Sequence, residues 1–253
     1  MNVSLPVYCQ MFFWGFLYCL IVLPPFFIYL VITGFSREKT ATFLRWLIVF
    51  FGKVMVHCGI FPYIRIRYED LSGSSEPVEN AIMILNHRSG SDPFLAAFIP
   101  YGKAPVIAIK GWAMQLPFFG FFANLAGYID VTQQSYEETK EQTLKLLKRG
   151  NPIMTFPEGT RSGSKEMNQF HGTFFRIAKE AGVPLIPIAI AGNEKVPDRQ
   201  FRMYTGRILI RRLPAILPEE IQSTALFPLK ERVRRLLMEE TRKMDEILEH
   251  EKQ

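Results

Sequence analysis

Ala81-Ile82-Met83-Ile84-Leu85-Asn86-His87-Arg88-Ser89-Gly90-Ser91-Asp92-Pro93 is an apolar run that passes into a loop of small and polar residues. The apolar part reads as a strand buried on both faces, because no polar position alternates with the hydrophobic ones. Asp92 followed by Pro93 reads as the cap and first residue of a helix. The same order recurs about seventy residues further on, where Pro152 to Thr155 runs into Phe156-Pro157-Glu158-Gly159-Thr160-Arg161-Ser162. Two polar, chemically capable loops at the ends of two buried strands mark the place where an α/β sheet keeps its active site.

Outward from these loops the chain alternates strand and helix. Strand-like runs are Ala81–Leu85, Pro105–Ile109, Gly127–Val131, Ile153–Phe156, Leu185–Ile190 and Arg207–Arg211. Between them, Ser135 with Glu138 three residues later forms a capping box opening a helix that runs to Arg149 and stops at Gly150. A second helix spans His171 to Ala181 and is closed by Gly182, and a last amphipathic one runs from Pro228 to about Glu249. This pattern predicts an α/β fold with a mixed, largely parallel sheet flanked by helices. With 253 residues there is room for one such domain, here taken as residues 64–253 beyond a helical segment 1–63, with Leu71-Ser72-Gly73-Ser74-Ser75 as a turn-rich break.

The segment 1–63 differs in kind. No charged residue occurs from Asn2 to Ser36, and Met11 to Thr33 is almost unbroken Phe, Leu, Ile, Val, Tyr and Trp. As a helix it is long enough to cross a hydrocarbon core of roughly 30 Å. It is not an ordinary secretory signal, since it has no basic n-region and no small-residue cleavage site follows. Pro24-Pro25 removes two backbone donors and predicts a kink or break. A second apolar stretch, Phe43 to Tyr63, is interrupted by Arg45, Lys53 and His57, which share one side of a helix. That suits a helix in the membrane interface, the alternative being a helix buried in the globular domain. Residues 5–62 are expected to associate with a membrane, and Arg37, Lys39 and Arg45 put the catalytic domain on the cytoplasmic side.

A net charge of +6 favours an anionic partner. The chain carries no nucleic-acid motif, and its apolar segment points to anionic lipid instead. Lys195, Arg199, Arg202, Arg207, Arg211 and Arg212 form a basic cluster facing only Glu194 and Asp198, either a lipid contact or a solvated face. Cys9, Cys19 and Cys58 match no disulfide framework or metal spacing, which agrees with a reducing compartment. No metal or cofactor is expected.

His87 is the candidate base. A histidine takes a proton from an alcohol at neutral pH when a carboxylate fixes its tautomer and stabilises the imidazolium. Asp92 is the nearest carboxylate, and the small residues between them let the chain curl back; pure helix capping is its bland role. No G-x-S-x-G elbow occurs in the chain, which argues against a serine nucleophile. Arg161 can grip a phosphate with two parallel hydrogen bonds. Gly159 permits a tight turn with exposed donors, and Glu158 can position an acceptor or orient Arg161. Lys110, at the end of its strand, is a second phosphate contact or a solvated lysine.

His87 with Asp92, followed at this distance by Phe156 to Ser162, resembles the glycerolipid acyltransferase family, whose members esterify the hydroxyl of a lysophospholipid or of glycerol phosphate. The resemblance covers roughly residues 80–192. It includes Lys110 before Gln115-Leu116-Pro117-Phe118-Phe119-Gly120, and Val183-Pro184-Leu185-Ile186-Pro187. It implies His87 as general base, Asp92 as its partner, and Glu158, Gly159, Thr160 and Arg161 as acceptor-site residues, with Lys110 beside them. It also implies a lysolipid acceptor, first of all 1-acylglycerol 3-phosphate giving phosphatidate, and a thioester donor, acyl-CoA or acyl carrier protein. One position departs. The family's Gly-aromatic-Ile-Asp-Arg block is here Gly127-Tyr128-Ile129-Asp130-Val131, so the arginine associated with phosphate is a valine. A lysolipid with another headgroup, such as a lyso-aminolipid, is the alternative acceptor, and a non-catalytic lipid-binding protein of the same fold the remote one.

Overall fold

The computed structural model describes every residue except Ser75, Leu116, Lys252 and Gln253; of Trp112, Ala113, Pro117 and Phe118 it describes the backbone alone. The Leu116 position of the expected Leu-Pro stretch and the end of the turn-rich break therefore lie outside the described residues.

In chain order the elements are α1 (Ser4–Ile32), α2 (Arg37–Val54) continued by a π-helical turn Met55–Ile60, β1 (Ile64–Asp70), β2 (Ile82–Leu85), α3 (Asp92–Leu95), β3 (Val106–Ile109), α4 (Gly111–Met114), α5 (Pro117–Leu125), β4 (Ile129–Asp130), α6 (Tyr136–Lys148), β5 (Ile153–Thr155), α7 (Thr173–Ala181), β6 (Leu185–Ala191), β7 (Gly206–Arg212), α8 (Pro218–Ser223) and α9 (Leu226–His250). The sheet runs β1-β7-β6-β2-β5-β3-β4. Every neighbouring pair is parallel except β6 and β7. The mixed, largely parallel sheet expected from the alternation is the one observed. Its centre is apolar on both faces: all four residues of β2 and all seven of β6 are buried.

One strand was not foreseen. In β1, Ile64, Ile66 and Tyr68 alternate with the charged Arg65, Arg67 and Glu69, and the strand occupies an edge beside β7. Its acids explain a correction to the basic cluster. Arg211 pairs with Glu69 at 2.6 Å and Glu240 at 2.8 Å, Arg212 with Asp70 at 3.3 Å, Arg207 with Glu251 at 2.8 Å, and Arg202 with Asp198 at 2.9 Å. Glu69 and Asp70 of β1, Glu240 of α9 and Glu251 just after it are remote in sequence and, with the local Asp198, take up much of the charge of the cluster.

The helix caps follow local chemistry. Ser135 and Glu138 exchange both capping-box bonds at the start of α6, and Gly150 and Gly182 follow α6 and α7 with φ of 76° and 64°. Asp92 differs from expectation. The cap position of α3 falls on Ser91, whose side chain makes no cap bond among the described residues, and the Asp92 carboxylate is turned to other partners. α9 buries Leu229, Val233, Leu237, Met244 and Leu248 at helical spacing, while Leu236 stays 37% exposed.

α1 runs as one helix through Pro24 and Pro25, so the pair does not divide it. Each proline removes one backbone donor, and the turns on both sides keep theirs. Most of its surface is open, with Phe12, Phe16, Leu20, Phe27, Val31 and Ile32 exposed. The α1 segment and Arg37–Ile60 are both long and apolar enough to cross a membrane. α2 corrects the expected polar side. Arg45 is buried, donating to the Ala126 carbonyl at 3.0 Å and to Asn151 Oδ1 at 3.1 Å. It bolts the helix to the domain, while Lys53 and His57 remain exposed. Gly52 permits the close approach: a Cβ there would lie 3.0 Å from the Ala97 Cβ and 3.3 Å from the Phe94 carbonyl. Thr40, Ala41, Leu44 and Val49 share that buried face, whereas Trp46 and Phe50 look outward. Val3, Val7 and Phe26 of the N-terminal segment join the same buried core as the sheet.

Candidate active site

The first loop leaves the C-terminal end of β2. Asn86 anchors it: its amide donates to the Ile190 carbonyl at 2.9 Å and accepts from the Ile190 N–H at 2.8 Å, a side chain standing in for a rung of the ladder. His87 follows with its ring 4.6 Å from that of Phe156, centre to centre. His87 Nδ1 lies 2.7 Å from Asp92 Oδ2, which also accepts from the Ser89 N–H at 3.1 Å. Asn193 donates from Nδ2 to the other oxygen, Oδ1. A carboxylate held this way accepts from Nδ1–H, so the neutral ring carries its lone pair on Nε2. His87 is also among the residues lining the large cavity described below.

The remaining loop residues are committed to holding this geometry. Arg88 is buried and makes a two-pronged pair with Asp245 of α9, both bonds 2.9 Å. Ser89 is buried, its hydroxyl donating to the Val196 carbonyl at 2.8 Å. The same hydroxyl lies 3.1 Å from the Pro197 carbonyl, so its proton is engaged by backbone.

The second loop leaves β5, adjacent to β2, and lies against the first. Ser162 N–H donates to the His87 carbonyl at 2.8 Å and Gly163 N–H to the Arg88 carbonyl at 3.1 Å. Glu158 is buried, one carboxylate oxygen accepting from the His87 N–H at 2.7 Å and the other from the Asn168 N–H at 2.8 Å. Burial pushes its carboxyl above the usual carboxylate range, and the two N–H donors pull the other way. Both oxygens accept from backbone N–H groups, and among the described residues Glu158 makes no contact to Arg161, one of the two roles open to it.

Cations gather around the Gly159 turn. Gly159 has φ 69°, and a Cβ there would lie 3.1 Å from the His171 ring and 4.0 Å from Lys110 Nζ. Arg161 approaches Gly90, where a Cβ would lie 3.2 Å from Nη1, and its guanidinium stands 5.4 Å from the ring of Phe201. Lys110, Thr160, Arg161 and His171 all line the cavity, as does Val131.

That cavity has a volume of about 1200 Å³. Its wall is mostly apolar, with Tyr18, Val22 and Phe26 from α1, Leu44, Leu47 and Phe51 from α2, Phe94 from α3 and Phe122 from α5. The structure thus brings His87, Asp92, Glu158, Gly159, Thr160, Arg161 and Lys110 to one place. Arg88, Asp245, His171, Asn193 and Phe201 belong to the same neighbourhood and were not anticipated. His171 carried a signal, as a titratable residue beside the second motif, and Arg88 adjoins His87 in the first; Asp245, Asn193 and Phe201 are joined to the site only by the fold.

The model of the Acyltransferase family matches residues 65–191. The chloroplastic 1-acyl-sn-glycerol-3-phosphate acyltransferase LPAT1 of Arabidopsis thaliana is 26% identical over 150 residues, 58% of this chain and 42% of that protein. The lyso-ornithine lipid O-acyltransferase of Pseudomonas aeruginosa is 30% identical over 167 residues, 64% of this chain and 61% of the relative. The 1-acyl-sn-glycerol-3-phosphate acyltransferase of Salmonella typhimurium is 27% identical over 183 residues, covering 70% of this chain and 74% of the relative. The crystal structure of the 1-acyl-sn-glycerophosphate acyltransferase PlsC from Thermotoga maritima superposes with a TM-score of 0.72 over 95% of each chain at 20% identity, a likeness of fold.

Proposed function

The chain belongs to the acyltransferase family, and on that premise we propose that it transfers a fatty acyl group from a thioester to the free hydroxyl of a lysolipid. The proposed acceptor is 1-acylglycerol 3-phosphate and the product phosphatidate. The observation that carries this reading is the 2.7 Å contact between His87 Nδ1 and Asp92, in a residue that also lines a large apolar cavity.

In the proposed reaction His87 Nε2 takes the proton of the acceptor hydroxyl as its oxygen attacks the thioester carbonyl. Asp92 stabilises the imidazolium, as a carboxylate does in the serine-protease dyad. The tetrahedral intermediate collapses, the C–S bond breaks and the thiolate leaves, and His87 then gives its proton to the thiolate or to water, which restores the neutral base. A thiol of pKa about 8.5 needs little acid assistance to depart. Glu158 braces the His87 backbone, a role its two N–H contacts support better than acceptor binding. Lys110 and Arg161, with Gly159 and Thr160 at the turn, face the anionic headgroup, and the apolar wall holds acyl chain. The donor is acyl-CoA or acyl carrier protein.

A second reading has its own support. Val131 lines the cavity where an arginine would add a third fixed cation, and one relative is named for a lyso-ornithine lipid. A lysolipid with a less anionic headgroup is the acceptor under that reading.

We further propose that residues 5–62 hold the enzyme on a membrane through the exposed apolar faces of α1 and α2, with the catalytic domain on the cytoplasmic side. Exposed Arg37 and Lys39 support that orientation; buried Arg45 drops out of the count.

The test is acyl transfer by purified full-length enzyme. His87→Ala is expected to lose on the order of 10² to 10⁴ in rate. Asp92→Asn is expected to lose nearly as much, because its amide NH₂ would face donors already aimed at the carboxylate. Near-native turnover in His87→Ala would overturn the mechanism.

A further inference from the structure

Asn193 lies two residues beyond the segment that matches the family model, outside both motif loops. It is fully buried, and its Nδ2 donates to Asp92 Oδ1. Asp92 is fully buried too; its other oxygen serves His87 Nδ1 and the Ser89 N–H, so Asn193 is the donor recorded at Oδ1. An ionised carboxylate taken out of water is costly unless its lone pairs meet donors, and one left half-satisfied is free to turn about its Cβ–Cγ bond.

Two further observations mark Asn193 as placed for this contact. The first is that its own Oδ1 is buried and has no hydrogen-bond partner among the described residues. Turning the amide over would set that oxygen against the carboxylate, so the protein tolerates an orphaned acceptor to keep the donor where it is. The second is Gly192. It has φ 83°, and a Cβ on it would lie 2.2 Å from the Arg207 carbonyl, so only glycine lets the chain leave β6 along this path. The turn is then closed by the Val196 N–H donating to the Asn193 carbonyl at 2.9 Å.

We propose that Asn193 is a positioning residue for acyl transfer, fixing the rotation of the Asp92 carboxylate so that Oδ2 stays on His87 Nδ1. This rests on the reading of His87 and Asp92 as base and partner. Asn193 touches neither reacting group, so its effect passes entirely through Asp92.

The experiment is a double-mutant cycle on the full chain, with 1-acylglycerol 3-phosphate and a long-chain acyl-CoA. Asn193→Ala is expected to lower kcat by about 10- to 100-fold, the scale of a misplaced catalytic group, with KM for both substrates near native. In an Asp92→Ala background, assayed at high enzyme concentration, Asn193→Ala should cause no further loss. Asn193→Asp, nearly the same shape, should be worse than Asn193→Ala because it sets carboxylate against carboxylate; a packing role predicts the reverse order. Equal losses in both backgrounds, an effect confined to KM, or a milder Asn193→Asp would overturn the proposal. If Asn193→Ala alone does not fold, the comparison of Asp92→Ala with the double variant still decides, since removing both partners leaves no unpaired charge. Full activity in Asp92→Ala would instead sink the underlying reading of the base pair, an outcome distinct from failure of Asn193 alone.

Discussion

Asp245→Leu tests how the C-terminal helix supports the active site. Arg88 and Asp245 are bonded twice at 2.9 Å, with side chains only 3% and 10% exposed. Removing the acid leaves the Arg88 guanidinium with the Lys165 carbonyl at 3.1 Å and the more distant Glu194 at 3.8 Å. Breaking one side of a buried pair costs about 3–5 kcal/mol, because the surviving charge is uncompensated. Glu194 can move to share the charge, which favours the lower end, about 3 kcal/mol. For a chain of this size each kcal/mol lowers the melting temperature by roughly 2–4 °C, so a fall of about 6–12 °C is expected. The assay is thermal unfolding in a fixed detergent, followed by circular dichroism. The double variant Arg88→Met with Asp245→Leu should recover most of the loss, since apolar replacement of a whole buried pair is often neutral. Turnover should fall about tenfold in the single variant, since Arg88 adjoins His87 and its carbonyl holds the second loop. A single variant that melts like the native protein, or a double variant no better than the single, would refute the reasoning.

Other outcomes follow from the cavity. Arg161→Ala should raise KM for a phosphate-bearing acceptor by at least about tenfold and change little with an uncharged one, as loss of a charge-assisted bond predicts; equal losses on both would make Arg161 structural. Val131→Arg should hold or improve kcat/KM for 1-acylglycerol 3-phosphate and reduce it for a lyso-aminolipid, and a native preference for the second, reversed by the change, would promote the alternative acceptor. Deleting residues 1–36 removes the wall formed by Tyr18, Val22 and Phe26, so activity on long-chain substrates should fall more than activity on short, soluble thioesters; equal loss on both would deny α1 a part in the cavity.

What the sequence revealed was what chemistry confines to a few neighbouring residues. The His87–Asp92 contact closes within one short loop, the Ser135–Glu138 box within one turn, and the apolar runs of β2 and β6 announce their own burial. β1 did carry a signal, the alternation of Ile64, Ile66 and Tyr68 with charged residues that marks a half-buried strand, and its pairing with β7 makes the strand evident. Arg45 read as a polar-face residue because its acceptors, at Ala126 and Asn151, lie far along the chain. Glu158 reads in sequence as positioning an acceptor or orienting Arg161; the backbone N–H groups of His87 and Asn168 that it holds are partners no side-chain pattern displays.

The wall that α1 and α2 give the cavity bears on how a greasy reactant travels. In the membrane-bound state proposed above, the backs of these helices meet hydrocarbon while their inner faces meet the cavity. A lysolipid tail reaching the cavity directly from the leaflet would exchange one oily surrounding for another. By contrast, drawing a sixteen-carbon tail through water would expose methylenes at about 0.8 kcal/mol each, a toll of roughly 12 kcal/mol. Sideways entry removes that toll from the barrier, so turnover should track the surface density of acceptor in the leaflet rather than its total concentration in the tube.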